Sequence, residues 1–118
     1  MESKALAELA AKACDDKRAT DIILLDMKDV SLIADYFLIC EGSNERQVQA
    51  IAEEIKHQAE ANEVFVRRLE GYEQSRWILV DLGDVVCHVF HKEERAYYNL
   101  ERLWGDAPIV EFTIDQEG

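Results

Sequence analysis

Four sets of residues in this chain have types and spacing that could do chemistry. The first is Leu38-Ile39-Cys40-Glu41-Gly42-Ser43, an apolar run closed by a Gly-Ser pair. A Gly-Ser between a strand and a helix can grip a triphosphate. Nucleotidyl transfer then needs two or three carboxylates converging on Mg²⁺, usually an Asp-x-Asp pair on one strand face. The chain contains no Asp-x-Asp, and the window after Gly42-Ser43 reads as helix. Asp26 and Asp29 are three apart, as are Asp81 and Asp84, all at strand ends or turns. The second set is His88 and His91, a His-x-x-His off a strand end without a convincing third ligand; a hydrogen-bonded structural His88 is the reading it supports. The third is Cys14, Cys40 and Cys87, odd in number, far apart and without a Cys-x-x-Cys pair. They read as buried free thiols in a reducing compartment, neither a disulfide frame nor a zinc site. No P-loop, nucleophile elbow or Cys/His dyad is present. These residues assign no catalytic group, no cofactor and no metal.

The fourth set offers binding chemistry. Tyr72, Arg76, Trp77 and the turn from Asp81 to Asp84 bring together Trp, Tyr and Arg, the types that dominate interface energetics once buried against a partner. Trp77 stands at a strand entrance beside Arg76, where a half-exposed aromatic and a core aromatic are equally compatible with the pattern. Trp104 reads as core.

The elements that must position these groups follow from periodicity. Trp77 to Val80 and Val85 to Phe90 are short runs rich in β-branched and aromatic residues, joined by Asp81-Leu82-Gly83-Asp84, a tight reversal. They predict a hairpin whose strands are covered on both faces, or keep one apolar face for a partner. From His91 onward Ala96, Tyr97, Leu100, Leu103 and Trp104 recur at helical spacing, with Gly105 as the stop. Upstream, Leu6, Leu9, Ala10 and Ala13 make one stripe of a helix over residues 3–14, with Ser3 as N-cap, and residues 15–18 form a polar connection. Ile22 to Met27 and Tyr36 to Cys40 read as strands, with an ambiguous stretch at residues 30–34. Val48, Ile51, Ala52, Ile55 and Ala59 line the buried face of a helix that Ser43 or Asn44 caps, with Gln47 completing a capping-box pattern. Val64 to Leu69 predicts a third strand. After Gly105, residues 109–114 have strand-like composition, to pair with a sheet edge or stay mobile. The order α, β, β, α, β, β, β, α predicts an α+β domain, a mixed sheet of about five strands with helices packed on it.

Composition bounds the function. A chain of 118 residues fits one domain. Its formal charge of −12 argues against sequence-specific nucleic-acid binding, which needs a Lys/Arg patch, and suits a basic partner. No apolar run is long enough to span a bilayer, and the start MESKALAELAAKAC lacks a signal-peptide core. The expectation is a cytoplasmic protein without a membrane anchor.

The strings GYEQSRWILVDLGDVVCHVF and YYNLERLWGDA closely resemble the ribosomal silencing factor family, also called the Iojap-related or RsfS type. DIILLDMKDVSLIADYFLICEGSNERQVQAIAEEI resembles the same family's first half, so the similarity runs from Leu6 to Ala107. It implies one silencing-factor domain over residues 1–107 with a variable tail at 108–118, and a sheet distantly related to the nucleotidyltransferase fold. It also implies binding to large-subunit ribosomal protein fourteen at the intersubunit face, where the bound protein stands in the small subunit's place and represses translation when nutrients are scarce. The family pattern is kept at Gly71, Tyr72, Trp77, Asp81, Gly83, Asp84, His88 and Phe90. On this reading Trp77, Tyr72 and Leu79 or Leu82 supply apolar anchors, Arg76 flanks them, and Glu73, Asp81 and Asp84 face basic groups. The alternatives are a divergent nucleotidyltransferase-fold enzyme acting on a nucleoside triphosphate, and a homodimeric scaffold with a different client. Some relatives self-associate, so a homodimer is compatible with either role.

Overall fold

The computed structural model describes residues 1–94, 107–110 and 112. The first helix, α1 (Ser3–Asp16), buries Leu6, Ala7, Ala10, Ala11, Ala13 and Cys14. That face is wider than the predicted stripe, because alanines on either side of it let the helix approach its neighbours closely. Two expectations are corrected here. The N-cap is Glu2, whose side chain makes no capping bond, and Asp15 and Asp16 belong to the helix instead of a connection. The helix ends in a Schellman motif: Ala19 N–H donates to the Cys14 carbonyl (3.0 Å), Arg18 N–H to that of Asp15 (2.8 Å), and Arg18 takes φ +62°.

Strand β1 (Thr20–Asp26) begins earlier than predicted, with a register shift between Thr20 and Ile23 in its antiparallel pairing to β2 (Tyr36–Gly42). The intervening residues 27–35, ambiguous in sequence, form turns and bends and no helix. Helix α2 (Glu45–Ala61) buries Val48, Ile51, Ala52, Ile55 and Ala59, as its 3.6-residue period requires. Asn44 is its N-cap: Gln47 N–H donates to Asn44 Oδ1 (2.8 Å), while Gln47 Oε1 accepts from Ser43 N–H (2.6 Å). A second Schellman motif closes it, with Glu63 at φ +62° and Val64 N–H donating to the Ala59 carbonyl (2.9 Å).

The third strand is shorter than the sequence suggests. β3 (Arg68–Glu70) pairs antiparallel with β4 (Trp77–Asp81), and Val64 and Val66 lie outside it, packed half-buried against the main core. Their β-branched chemistry therefore fills space beneath the sheet, not a ladder. β4 pairs antiparallel with β5 (Val85–His91), and β5 pairs in parallel with β2. The sheet order is β1-β2-β5-β4-β3. All seven residues of β5 are buried, as expected of a central strand covered on both faces.

Alternation assigns the two faces. Leu24, Leu38, Cys40, Ile78, Val80, Val85, Cys87 and Val89 meet α1 and α2 in the main core. Leu25, Ile39 and Phe90 lie on the opposite face, in a smaller cluster with Met27 and Ala107. The predicted helix after His91 lies outside the described residues beyond Glu94. The described part of the C-terminal segment pairs with the β1 edge: Asp26 N–H donates to the Pro108 carbonyl (2.9 Å) and Val110 N–H to that of Leu24 (2.8 Å).

Candidate protein-binding surface

Trp77 opens β4 on the face turned away from α1 and α2. It pairs across the ladder with Phe90, ring centroids 4.9 Å apart, and lies diagonal to His88. Its indole Nε1–H donates to His88 Nδ1 at 3.1 Å. Accepting that bond leaves the neutral ring's proton on Nε2. His88 is only 4% exposed, and burial, which penalises the imidazolium, lowers its pKa to about 4. The ring is thus neutral at physiological pH and keeps the lone pair that orients Trp77. Phe37 closes on His88 edge-on, centroids 5.0 Å apart. Trp77 is nevertheless 38% exposed. A large aromatic is held rigid at one rim and open at the other.

Beside it is a shallow depression of about 280 Å³ lined by Glu70, Gly71, Trp77 and Leu79. Gly71 has φ +78°, and a Cβ there would lie 2.1 Å from the Trp77 carbonyl oxygen. No side chain fits, so the glycine permits the chain entering β4 to pass against β3. Glu70 and Leu79 are cross-strand partners.

The eight residues singled out from sequence divide between several environments. Trp77 and Leu79 share the open face, and Asp81 follows them along β4 by alternation. The Asp81 carboxylate is 13% exposed; it accepts from Gly83 N–H (2.8 Å) and faces Arg68 Nε at 3.3 Å, so it builds the turn and secures the edge strand. Asp84 is exposed at the tip. Leu82 is 4% exposed within the main core, so it cannot serve as an outward anchor; it continues the inward set of Ile78 and Val80 by the two-residue alternation of β4, with Leu82 N–H donating to the Val85 carbonyl. Tyr72 lies toward the helices: its hydroxyl donates to Glu53 of α2, its carbonyl accepts from Gln49 Nε2 (3.0 Å), and its ring packs against the main core. The Glu53 carboxylate raises its pKa. Tyr72 is therefore not on the Trp77 face. Glu73 is exposed. Arg76 Nη1 lies 3.3 Å from Glu93 in an exposed pair, of a kind that contributes little.

The catalytic alternatives meet geometric obstacles. Gly42 sits where a Cβ would fall 3.0 Å from the Val48 side chain, so close packing of α2 explains it, and the Ser43 and Gln47 amides are already taken by side chains. Asp26, bridged to Lys28 at 3.3 Å, and Asp81 stand on strands three positions apart in the sheet, a separation of about 14 Å. His88 and His91, three apart on one strand, point to opposite faces. Among the described residues no group of three or more His, Cys, Asp or Glu could hold a metal ion. Fold brings the distant thiols together in the main core: Cys14 and Cys40 sulfurs are 3.6 Å apart, and Cys87 lies one strand over. All three are free and buried. The neighbouring Cys40 thiol, followed by burial, pushes the Cys14 pKa up, and burial does the same to Cys87, leaving both as unreactive thiols.

Sequence reasoning missed His88 as the orienting partner of Trp77 and Glu70 as the wall of the depression. The strand alternation that places His88 opposite Cys87 was readable, but the register that puts it diagonal to Trp77 was not.

A family model described as ribosomal silencing factor during starvation matches residues 1–118. The Bacillus subtilis ribosomal silencing factor RsfS is 62% identical over 111 residues, covering 94% of each chain. A Bacillus halodurans crystal structure superposes with a TM-score of 0.84 at 58% identity, covering 92% of this chain and 99% of that one. A Chromobacterium violaceum structure does so with 0.87 at 33% identity, covering 99% and 97%.

Proposed function

The chain belongs to the ribosomal silencing factor family, and from that premise we propose that it binds the large ribosomal subunit through ribosomal protein fourteen and blocks joining of the small subunit. The action is steric and stoichiometric. Occupancy of one protein site excludes a subunit, with no bond made or broken and no catalytic residue needed.

The observation that carries this reading is the half-exposed Trp77, fixed by His88 and set beside the depression with Leu79 and Glu70. Holding a rotamer before binding lowers the entropy cost of the interface, and Trp at the centre of a patch is the commonest hot spot. Trp77 and Leu79 supply the apolar contact, with Glu70 beside them and the exposed Glu73 and, beyond the Asp81 end of β4, Asp84 to meet basic groups of the partner. A net charge of −12 favours encounter with a basic ribosomal protein and disfavours direct contact with rRNA phosphates. The working protein is cytoplasmic in this reading; among the described residues no helix is long and apolar enough to cross a membrane.

The test is co-sedimentation of the purified protein with separated large and small subunits, followed by addition of the opposite subunit. The expected result is binding to the large subunit alone and a dose-dependent loss of joined ribosomes. Binding to neither subunit, or binding without loss of joining, refutes the proposal. Incubation with Mg²⁺ and labelled nucleoside triphosphates gives no transfer product.

A further inference from the structure

Residues 27–35 join β1 to β2, and this loop carries three of the exposed large apolar side chains: Val30 at 44%, Leu32 at 106% and Ile33 at 83%. Single exposed apolar residues are ordinary on a protein surface, but a contiguous set demands a reason. The loop is not loose. Met27 N–H donates to the Asp35 carbonyl (2.8 Å), Ser31 N–H to that of Met27 (2.8 Å), and Ser31 Oγ accepts from Ile33 N–H (3.1 Å). Its far end is fastened to the β4–β5 turn, where the Asp84 carbonyl accepts from Asp35 and Tyr36 amides at 2.8 and 3.1 Å. The backbone thus holds Leu32 and Ile33 out into solvent as a fixed apolar knob.

Carboxylates outnumber cations around the knob, where the Arg67 guanidinium lies against Gly83 of the adjoining turn. Asp29, Asp35 and Asp84 belong to the loop and the turn beside it. Lys28, the loop's sole cation in the sequence, is engaged by Asp26 and by the Tyr36 hydroxyl. An apolar tip among carboxylates suits a basic protein surface with an apolar recess. It does not suit a phosphate backbone or an anionic membrane, both repelled by the same groups.

We propose that the Leu32–Ile33 knob is a second contact element, inserting into an apolar recess on the same basic large-subunit protein that receives Trp77. This inference rests on the functional reading above. The geometry permits one partner to span both elements. Trp77 and Asp81 lie at opposite ends of β4, about 13 Å apart, and Asp84 ties the loop to the Asp81 end. An interface of standard size covers about 800 Å² per partner, a patch about 30 Å across.

The experiment compares the parent protein, Leu32→Ser/Ile33→Ser and Trp77→Ala for affinity to purified large subunits, with sedimentation equilibrium of each protein alone. Both loop side chains are solvated, so the double variant should keep the parent's thermal transition. Expected is a loss of affinity of tenfold or more with self-association unchanged. The proposal is overturned if the double variant binds within twofold of the parent while Trp77→Ala binds weakly. It is equally overturned if the double variant loses self-association and keeps its subunit affinity, because a second copy of this chain then covers the knob. A parent protein that binds no subunit refutes the functional reading itself, and this inference with it. Folding of the double variant is checked independently by near-UV circular dichroism, and Leu32→Lys, which adds like charge to a basic partner, should weaken binding further than Leu32→Ser.

Discussion

Replacing Trp77 by alanine tests the proposed anchor most directly, and the structure supplies the size of the effect. Trp77 is 38% exposed, which on a side chain of about 250 Å² leaves about 95 Å² for a partner to cover. At about 25 cal/mol per Å² this is about 2.4 kcal/mol, or about a sixtyfold loss of affinity. An anchor lying wholly on the surface could be removed at no cost to the fold. Trp77 cannot, because most of it is already packed against Phe90 and bonded to His88, and truncation of a packed tryptophan costs about 3–5 kcal/mol. The assay is therefore equilibrium binding to large subunits well below the variant's own transition, with near-UV circular dichroism confirming the native state. Trp77→Phe divides the two effects. It retains most of the apolar area and removes the donor to His88 Nδ1, so the expected loss is three- to fivefold. A correctly folded Trp77→Ala protein that binds within twofold of the parent refutes the assignment.

Four further outcomes are expected. Burial lowers the pKa of His88 to about 4, below its unfolded value, so the unfolded chain binds the proton first. The stability associated with the neutral ring is then complete above about pH 6.5 and falls as pH drops toward 4, on the order of 3 kcal/mol in all; urea titrations across that range should show the slope, and His88→Phe should flatten it. Gly71→Ala places a Cβ against the Trp77 carbonyl at positive φ and should cost more than about 2 kcal/mol, read as a lowered thermal midpoint. Arg18→Gly and Glu63→Gly relieve left-handed residues in the two Schellman motifs and should each stabilise by about 0.5–1 kcal/mol; a loss of stability would contradict the motif assignment. Asp84→Lys, at an exposed tip, should slow association with large subunits several-fold at low salt and flatten its salt dependence. An unaltered slope would remove the electrostatic part of the reading.

Local chemistry was legible where one element decides its own structure. The α2 stripe from Val48 to Ala59 and its Asn44–Gln47 cap are properties of a single helix, and each is where periodicity placed it. The same holds for the Trp77–Phe90 hairpin and for Cys14, Cys40 and Cys87 as buried thiols. Residues 64–66 misled because valine and phenylalanine have high strand propensity whether or not a neighbouring strand exists, and here Val64 and Val66 find their burial beneath the sheet instead. The inward position of Leu82 was legible, because it follows Ile78 and Val80 at a spacing of two and is buried with them, whereas Tyr72 misled because alternation fails in turns: positive φ at Gly71 and Ser75 frees its segment from any two-residue period. The parallel pairing of β2 with β5 joins residues nearly fifty positions apart, and no local pattern encodes it. That pairing in turn sets the surroundings of His88, so the most informative contact of the site was the least readable.

The place of β5 in the sheet also governs how the molecule can be made. It is the last of the five strands in the chain and the middle one in space. Before Val85 leaves the translating ribosome, the β1–β2 pair and the β3–β4 pair exist as two halves with nothing to join them, and α1 and α2 have an incomplete sheet on which to lay their apolar faces. Assembly must then await one late, non-local event, the kind that slows folding and prolongs exposure of sticky surface. A chain interrupted before β5 would lack its keystone, the one strand that joins the β1–β2 pair to the β3–β4 pair.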